Sequence, residues 1–190
     1  MTRGPADRAR TERFEAVFGR VYEPLQRYLR RRADPATAED VLAETLTTIW
    51  RRLDDVPVDL ELAWCYSVAR QTLANSRRAR DRHLRLVDKV GSIGRAGPTD
   101  SAPADAGIDA TDPELDAALV AVSPDDREVL RLWAWEQLEP REIAAALDIT
   151  PNAASIRLHR AKGHLREALG AERTAAGPDT DGSGPGGQNR

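Results

Sequence analysis

Arg70, Arg77, Arg78, Arg80, Arg82 and Arg85 form one basic block, and Arg157, His159, Arg160, Lys162 and Arg166 form another. A guanidinium offers a planar fork of donors that fits a phosphate, and an ammonium adds a point charge. Both blocks therefore point to gripping a polyanion. Between them runs an acidic stretch with Asp100, Asp105, Asp109, Asp112, Glu114, Asp116, Asp125 and Asp126. The formal net charge of -3 thus hides two separated cationic surfaces on an acidic background, which can meet one polyanion in two places. Read alone, either block also fits an ordinary solvated helix face, so the surrounding elements must decide.

Residues for bond-making chemistry do not assemble. Cys65 is the single cysteine, which removes intramolecular disulfides and any cysteine-rich zinc site. It falls within an apolar stripe, as a core residue would. His83 is remote in sequence, and His159 and His164 point to different helical faces. There is no paired catalytic set, phosphate-cradling glycine loop or nucleophile with its base. The expectation is a protein that is not an enzyme and uses neither metal nor cofactor.

The elements that carry the basic blocks are expected to be helices throughout. Of 190 residues, 41% are hydrophobic and 31% charged, with only two Phe and three Tyr. That suits helices with one wet face and leaves little for a sandwich or barrel. Phe14, Val17, Phe18, Val21, Tyr22, Leu25, Tyr28 and Leu29 recur at helical spacing, with Pro24 a possible kink. Asp34-Pro35 then supplies a cap and a first-turn proline for a second stripe of Ala38, Val41, Leu42, Ile49, Trp50 and Leu53. After a loop at Pro57, a third helix runs from about Leu60 into the arginines, burying Leu62, Cys65, Tyr66, Ala69 and Leu73.

Residues 91–111 are rich in Gly, Ala, Pro, Ser and Asp and read as a flexible linker, and residues 170–190 read as a disordered tail. Two small helical domains remain, at 10–90 and 112–169. In the second, Ser123-Pro124 opens a helix that buries Val129, Leu130, Leu132 and Trp133, with Asp126 placed for a capping box. Pro140 begins a short helix with Ile143, Ala144 and Leu147 inward. Thr150-Pro151 opens a last one carrying Ile156, Leu158, Leu165 and Leu169. Helix, tight turn, helix is the arrangement that places a second helix in a DNA major groove. There Asn152 and Ser155 could reach base edges or phosphate, Ala153 and Ala154 permit close approach, and Arg157, His159, Arg160 and Lys162 supply cations. No apolar run reaches bilayer length and the N-terminus lacks the core of a secretory signal. A cytoplasmic protein without membrane contact is expected.

The helix-turn-helix alone does not separate an activator from a repressor. AEDVLAETLTTIWRR at 38–52, ELAWCYSVARQTLANSRRAR at 61–80 and the stretch from Arg127 to Leu169 together resemble a bacterial RNA polymerase sigma factor of the extracytoplasmic-function group within the sigma-70 superfamily. The resemblance covers most of both domains, in the family's order and spacing. It implies core RNA polymerase and promoter DNA, duplex and melted, as partners, with an anti-sigma protein as a further candidate. It implies a core-polymerase-binding face on Asp40, Glu44, Thr47, Thr48 and Arg51. Similarly, it implies that Arg70, Gln71, Asn75, Arg77 and Arg78 meet the opened -10 strand, and that Asn152, Ser155, Arg157, His159, Arg160 and Lys162 meet the -35 duplex. Ala43 stands where the family commonly has Gln, Gln71 where it often has Asn, and Asn75 where it often has Asp, so one polymerase contact and the chosen bases differ. Trp64 shares a helical side with core positions, which favours packing over stacking on a base. The alternative is a helix-turn-helix regulator that binds duplex DNA and never joins polymerase.

Overall fold

The computed structural model describes residues 5–91 and 113–175. Among them lie α1 (Pro5–Arg30), α2 (Pro35–Arg51), a short 3-10 turn (Leu53–Asp55), α3 (Glu61–Gly91), α4 (Pro113–Ala121), α5 (Pro124–Ala134), α6 (Pro140–Leu147) and α7 (Pro151–Ala175). No strand occurs among the described residues, as an all-α chain requires. Of the expected linker at 91–111, Gly91 ends α3 and residues 92–111 lie outside the described residues, as does the tail beyond 175.

Local signals set the helix starts. The Asp34 carboxylate accepts from the Thr37 backbone N–H at 3.0 Å and from its hydroxyl at 2.7 Å, with Pro35 in the first turn. These bonds hold the Asp34 carboxyl below its usual range. Ser123 Oγ accepts from the Asp126 N–H at 3.1 Å ahead of α5, and Thr150 Oγ1 accepts from the Ala153 N–H at 3.2 Å ahead of α7. Glu139 and Glu142 form a reciprocal capping box at the start of α6. Each satisfies backbone donors that a helix start otherwise leaves unmatched.

α1, α2 and α3 pack on one another, and α4, α5 and α6 all pack on α7. The two groups also meet, with α3 seated against α6. One continuous buried cluster joins Leu25, Tyr28, Leu29, Ile49 and Leu73 to Val129, Leu132, Ile143 and Leu158. A smaller one, around Leu119, Val122, Leu130 and Ala161, ties α4 and α5 to α7. Fully burying each large aliphatic side chain contributes roughly 1.5–3 kcal/mol.

Several residues sit differently from their stripe. Phe18 and Tyr22 are 37% and 36% exposed on the outer edge of α1, their rings tilted against each other with centroids 4.9 Å apart. Trp50 stays half open, its ring edge-on to Phe14. Trp133 is exposed, with the Lys162 ammonium 3.5 Å over its ring centre. Ala154 is fully buried, so it holds α7 to its neighbours and does not line the outer face. α4 was not anticipated, and α7 continues to Ala175, past the expected start of the tail.

Candidate nucleic-acid interface

The wet face of α2 forms because Val41, Leu42, Thr45 and Ile49 are turned into the core. Asp40, Glu44, Thr47 and Arg51 are exposed at spacings that align them along one side, with Thr48 half-buried beside them. The Thr47 and Thr48 hydroxyls donate back to the carbonyls of Ala43 and Glu44, at 2.8 Å and 3.0 Å. That leaves Asp40, Glu44 and Arg51 as the charged groups this face offers a partner.

On α3, Arg70, Gln71, Asn75 and Arg78 are exposed while Ala69, Thr72 and Leu73 are buried. Arg78 Nη2 donates to Asn75 Oδ1 at 2.6 Å, so these two side chains act as a unit. Arg77 is half-buried and donates to the Arg32 carbonyl, and Arg70 reaches the Leu147 carbonyl at 3.5 Å. The five candidates thus divide into three that face outward freely and two, Arg70 and Arg77, that are drawn towards the junction with the second group of helices. Trp64 packs on the core with the Arg52 guanidinium 5.2 Å over its ring, as the packing expectation had it. The turn before α3 is held by Arg10 and Arg13, both of which pair with Asp54.

The helix-turn-helix is α6, the turn through Asp148, and α7. Asp148 takes a left-handed conformation at φ 55° to end α6, and the Ile149 N–H returns to the Ala144 carbonyl. Ala154, Leu158 and Ala161 of α7 are buried against α5 and α6. Their burial turns Asn152, Ser155, Ile156, His159 and Arg160 outward. Arg157 lies half-buried on the flank, and Lys162, also half-buried, is occupied by Trp133. The Ser155 hydroxyl donates to the Pro151 carbonyl at 3.0 Å, leaving its lone pairs as the outward function. Ile156, 53% exposed, stands in the middle of this face. Helical periodicity alone assigned it to the core, although position within the 3.6-residue turn separates it from Leu158 and Leu165.

The described residues hold no cluster of His, Cys, Asp and Glu fit for a metal ion. Cys65 is buried, and burial pushes its thiol up to about 12, which keeps it protonated and inert at neutral pH. No described helix is long and apolar enough to cross a membrane.

The family described as Sigma-70, region 4 matches residues 113–165, the span of α4 to most of α7. The chain is 36% identical over 164 residues to the RNA polymerase sigma factor CarQ of Myxococcus xanthus, covering 83% of this chain and 89% of that one. It is 32% identical to the RNA polymerase sigma-E factor of Streptomyces coelicolor, with 82% and 85% covered. To the ECF RNA polymerase sigma factor SigL of Mycobacterium tuberculosis it is 31% identical, with 81% and 87% covered. Among solved structures, the fold is similar to the complex of sigma factor RpoE with anti-sigma factor NepR from Bartonella quintana. That match has a TM-score of 0.58 at 22% identity, with 83% of this chain and 96% of the other covered. CnrH in complex with the cytosolic domain of CnrY matches with a TM-score of 0.54 at 22% identity, covering 83% and 88%. A helix-turn-helix with a cationic outer face, coupled to a second helical group by an unbroken core and matched along most of its length by these relatives, places this chain in the extracytoplasmic-function group of RNA polymerase sigma factors.

Proposed function

We propose that this sigma factor is a detachable specificity subunit that joins core RNA polymerase through the Asp40, Glu44 and Arg51 side of α2. On this reading α7 reads the -35 element as duplex, and α3 holds the -10 element as single strand through Arg70, Gln71, Asn75, Arg77 and Arg78. The observation that carries it is the sorting of α7: Ala154, Leu158 and Ala161 are buried, so Asn152, Ser155, Ile156, His159 and Arg160 stand together on an open face. Arg157 and Lys162 flank that face as phosphate partners once DNA is present.

Opening the promoter is then a binding process. Unstacking a base costs a few kcal/mol, and phosphate and stacking contacts to the open strand offset it. Sigma factors are not catalysts; this chain positions DNA, and polymerase makes the bonds. It acts in the cytoplasm, with an anti-sigma protein as a further partner, since the solved sigma factor RpoE, of similar fold, is in complex with the anti-sigma factor NepR.

Co-purification with core polymerase, followed by a duplex-binding assay of the complex, tests the assignment. Stable association and upstream-element binding are expected. Specific duplex binding without polymerase association would instead identify a regulator that acts on DNA alone.

A further inference from the structure

The two helical groups are joined by more than apolar contact. Arg32, just past the end of α1, is 4% exposed. Its Nε donates to Glu128 Oε2 at 3.1 Å and its Nη2 to Glu128 Oε1 at 3.3 Å, a two-pronged grip on α5. Its Nη1 donates to Glu136 Oε1 at 3.1 Å and to the Tyr28 carbonyl at 3.0 Å. Arg31 Nη2 takes the other Glu136 oxygen at 2.7 Å, and the Tyr28 hydroxyl donates to Glu128 Oε1 at 3.1 Å. The Glu136 side chain is 2% exposed. Burial works against the Arg32 charge, but Glu128, Tyr28 and Glu136 outweigh it and hold the guanidinium firmly protonated.

An ion pair of this kind fixes geometry more than it adds stability. Burying both charges carries a desolvation cost that their attraction only partly returns, and separation lets each recover its hydration. Apolar contacts cross the same junction, so the charges are what set its register. Buried charges that satisfy one another only in a single register suit a contact that must close specifically and still open.

What the contact covers gives it a consequence. α6 of the helix-turn-helix lies on α3, the helix proposed above to hold the open strand. Arg70 is drawn across the junction to the Leu147 carbonyl of α6, while Arg77 is held within its own helical group by the carbonyl of Arg32. Between the groups a cleft of about 420 Å³ is lined by Tyr28, Arg32, Arg70, Arg77, Asp125 and Glu128 among others. Two of the five strand-binding candidates therefore face the junction, and one of them, Arg70, bonds across it.

We propose that Arg32, with Glu128 and Glu136, is an ionic latch that keeps the free sigma factor closed and weak for single-stranded DNA, and that its release frees α3 for the strand. This rests on the assignment of α3 to the opened -10 element. Full-length Arg32→Glu sets like charges against both glutamates and should open the chain. Small-angle scattering then gives a larger radius of gyration than for the wild type. Affinity for a fluorescein-labelled single-stranded oligonucleotide of mixed sequence should rise about five- to hundredfold, the usual range of conformational coupling. Removing a cation from the DNA-binding side would by simple electrostatics weaken binding, so a rise reports the opening. Adding Glu128→Arg to Arg32→Glu re-pairs one of the two glutamates and should bring both the dimensions and the binding back towards the wild type.

Glu136→Lys, placed on the other side of the contact, opens the chain by the same criterion and guards against misfolding at Arg32. Unchanged dimensions in folded Arg32→Glu and Glu136→Lys would overturn the latch. So would expansion without tighter strand binding by Arg32→Glu. Polymerase-dependent transcription by the wild type, run alongside, separates either failure from a failure of the promoter assignment.

Discussion

His164 Nδ1 lies 2.7 Å from Asp126 Oδ2, joining the middle of α7 to the first turn of α5. Burial raises the Asp126 carboxyl, but the bonds from His164 and Ser123, with the nearby charges of His164 and Arg160, lower it by more. A carboxyl lowered in the folded state stabilises the fold above its unfolded value, near 4, and the contribution disappears as pH falls through the lower folded value. Asp126→Asn is expected to cost about 1 kcal/mol at neutral pH. Thermal melts should show the gap from wild type narrowing as pH drops below about 4; a gap constant across that window would exclude this carboxylate as its source.

Asp40 and Glu44 rise one turn apart on the side of α2 that takes no part in the core. Asp40→Arg with Glu44→Arg should weaken core polymerase association about tenfold or more, since like-charge juxtaposition at an interface costs several kcal/mol. Melting temperature should stay within a few degrees, because exposed substitutions usually lie within about 0.5 kcal/mol. Unaltered polymerase affinity would remove this face from the interface.

Ile156 is an apolar group at the centre of an otherwise polar reading face, suited to the C5-methyl of a thymine. Replacing each thymine of the upstream element by uracil removes that methyl alone. One such position should weaken wild-type binding and leave Ile156→Ser indifferent. Arg160→Ala, by contrast, should weaken all sequences alike and reduce the salt slope by about 1. Sequence-selective loss from Arg160→Ala would mean that it reads a base.

Asp148 ends α6 in a left-handed conformation that glycine adopts without cost. Asp148→Gly should be neutral or stabilising by up to about 1 kcal/mol, whereas Asp148→Val should cost about 1–2 kcal/mol. Chemical denaturation of the two variants measures the difference, and an equally tolerated valine would contradict the strain at this turn.

The helices on which the interface stands were legible because their signals are local. Asp34-Pro35, Ser123-Pro124 and Thr150-Pro151 cap and start helices by chemistry confined to one turn, and the buried stripes of α2 and α3 follow from spacing alone. α4 escaped notice because its PELDAALVA is short and carries little amphipathic contrast. Phe18 and Tyr22 show the limit of a stripe: periodicity gives a side of the helix, not whether a neighbour covers its edge. Nor does any local pattern link Arg32 to Glu128, which are 96 residues apart, or take Lys162 from the duplex face to the ring of Trp133. These depend on how the two helical groups, or two helices within one group, come to rest. The exposure of Asp40, Glu44, Asn152 and Arg160 was accessible from spacing; the partial withdrawal of Arg70 and Arg77 was not.

Because this chain directs polymerase to promoters, adding it should change where transcripts start. Core polymerase, with and without the protein, is given a supercoiled template pool spanning a bacterial genome. A discrete set of new starts sharing two upstream elements, lost when α7 is removed from the DNA by Arg160→Ala and Arg157→Ala together, is the predicted result. Identical starts with and without the protein would rule out a sigma role.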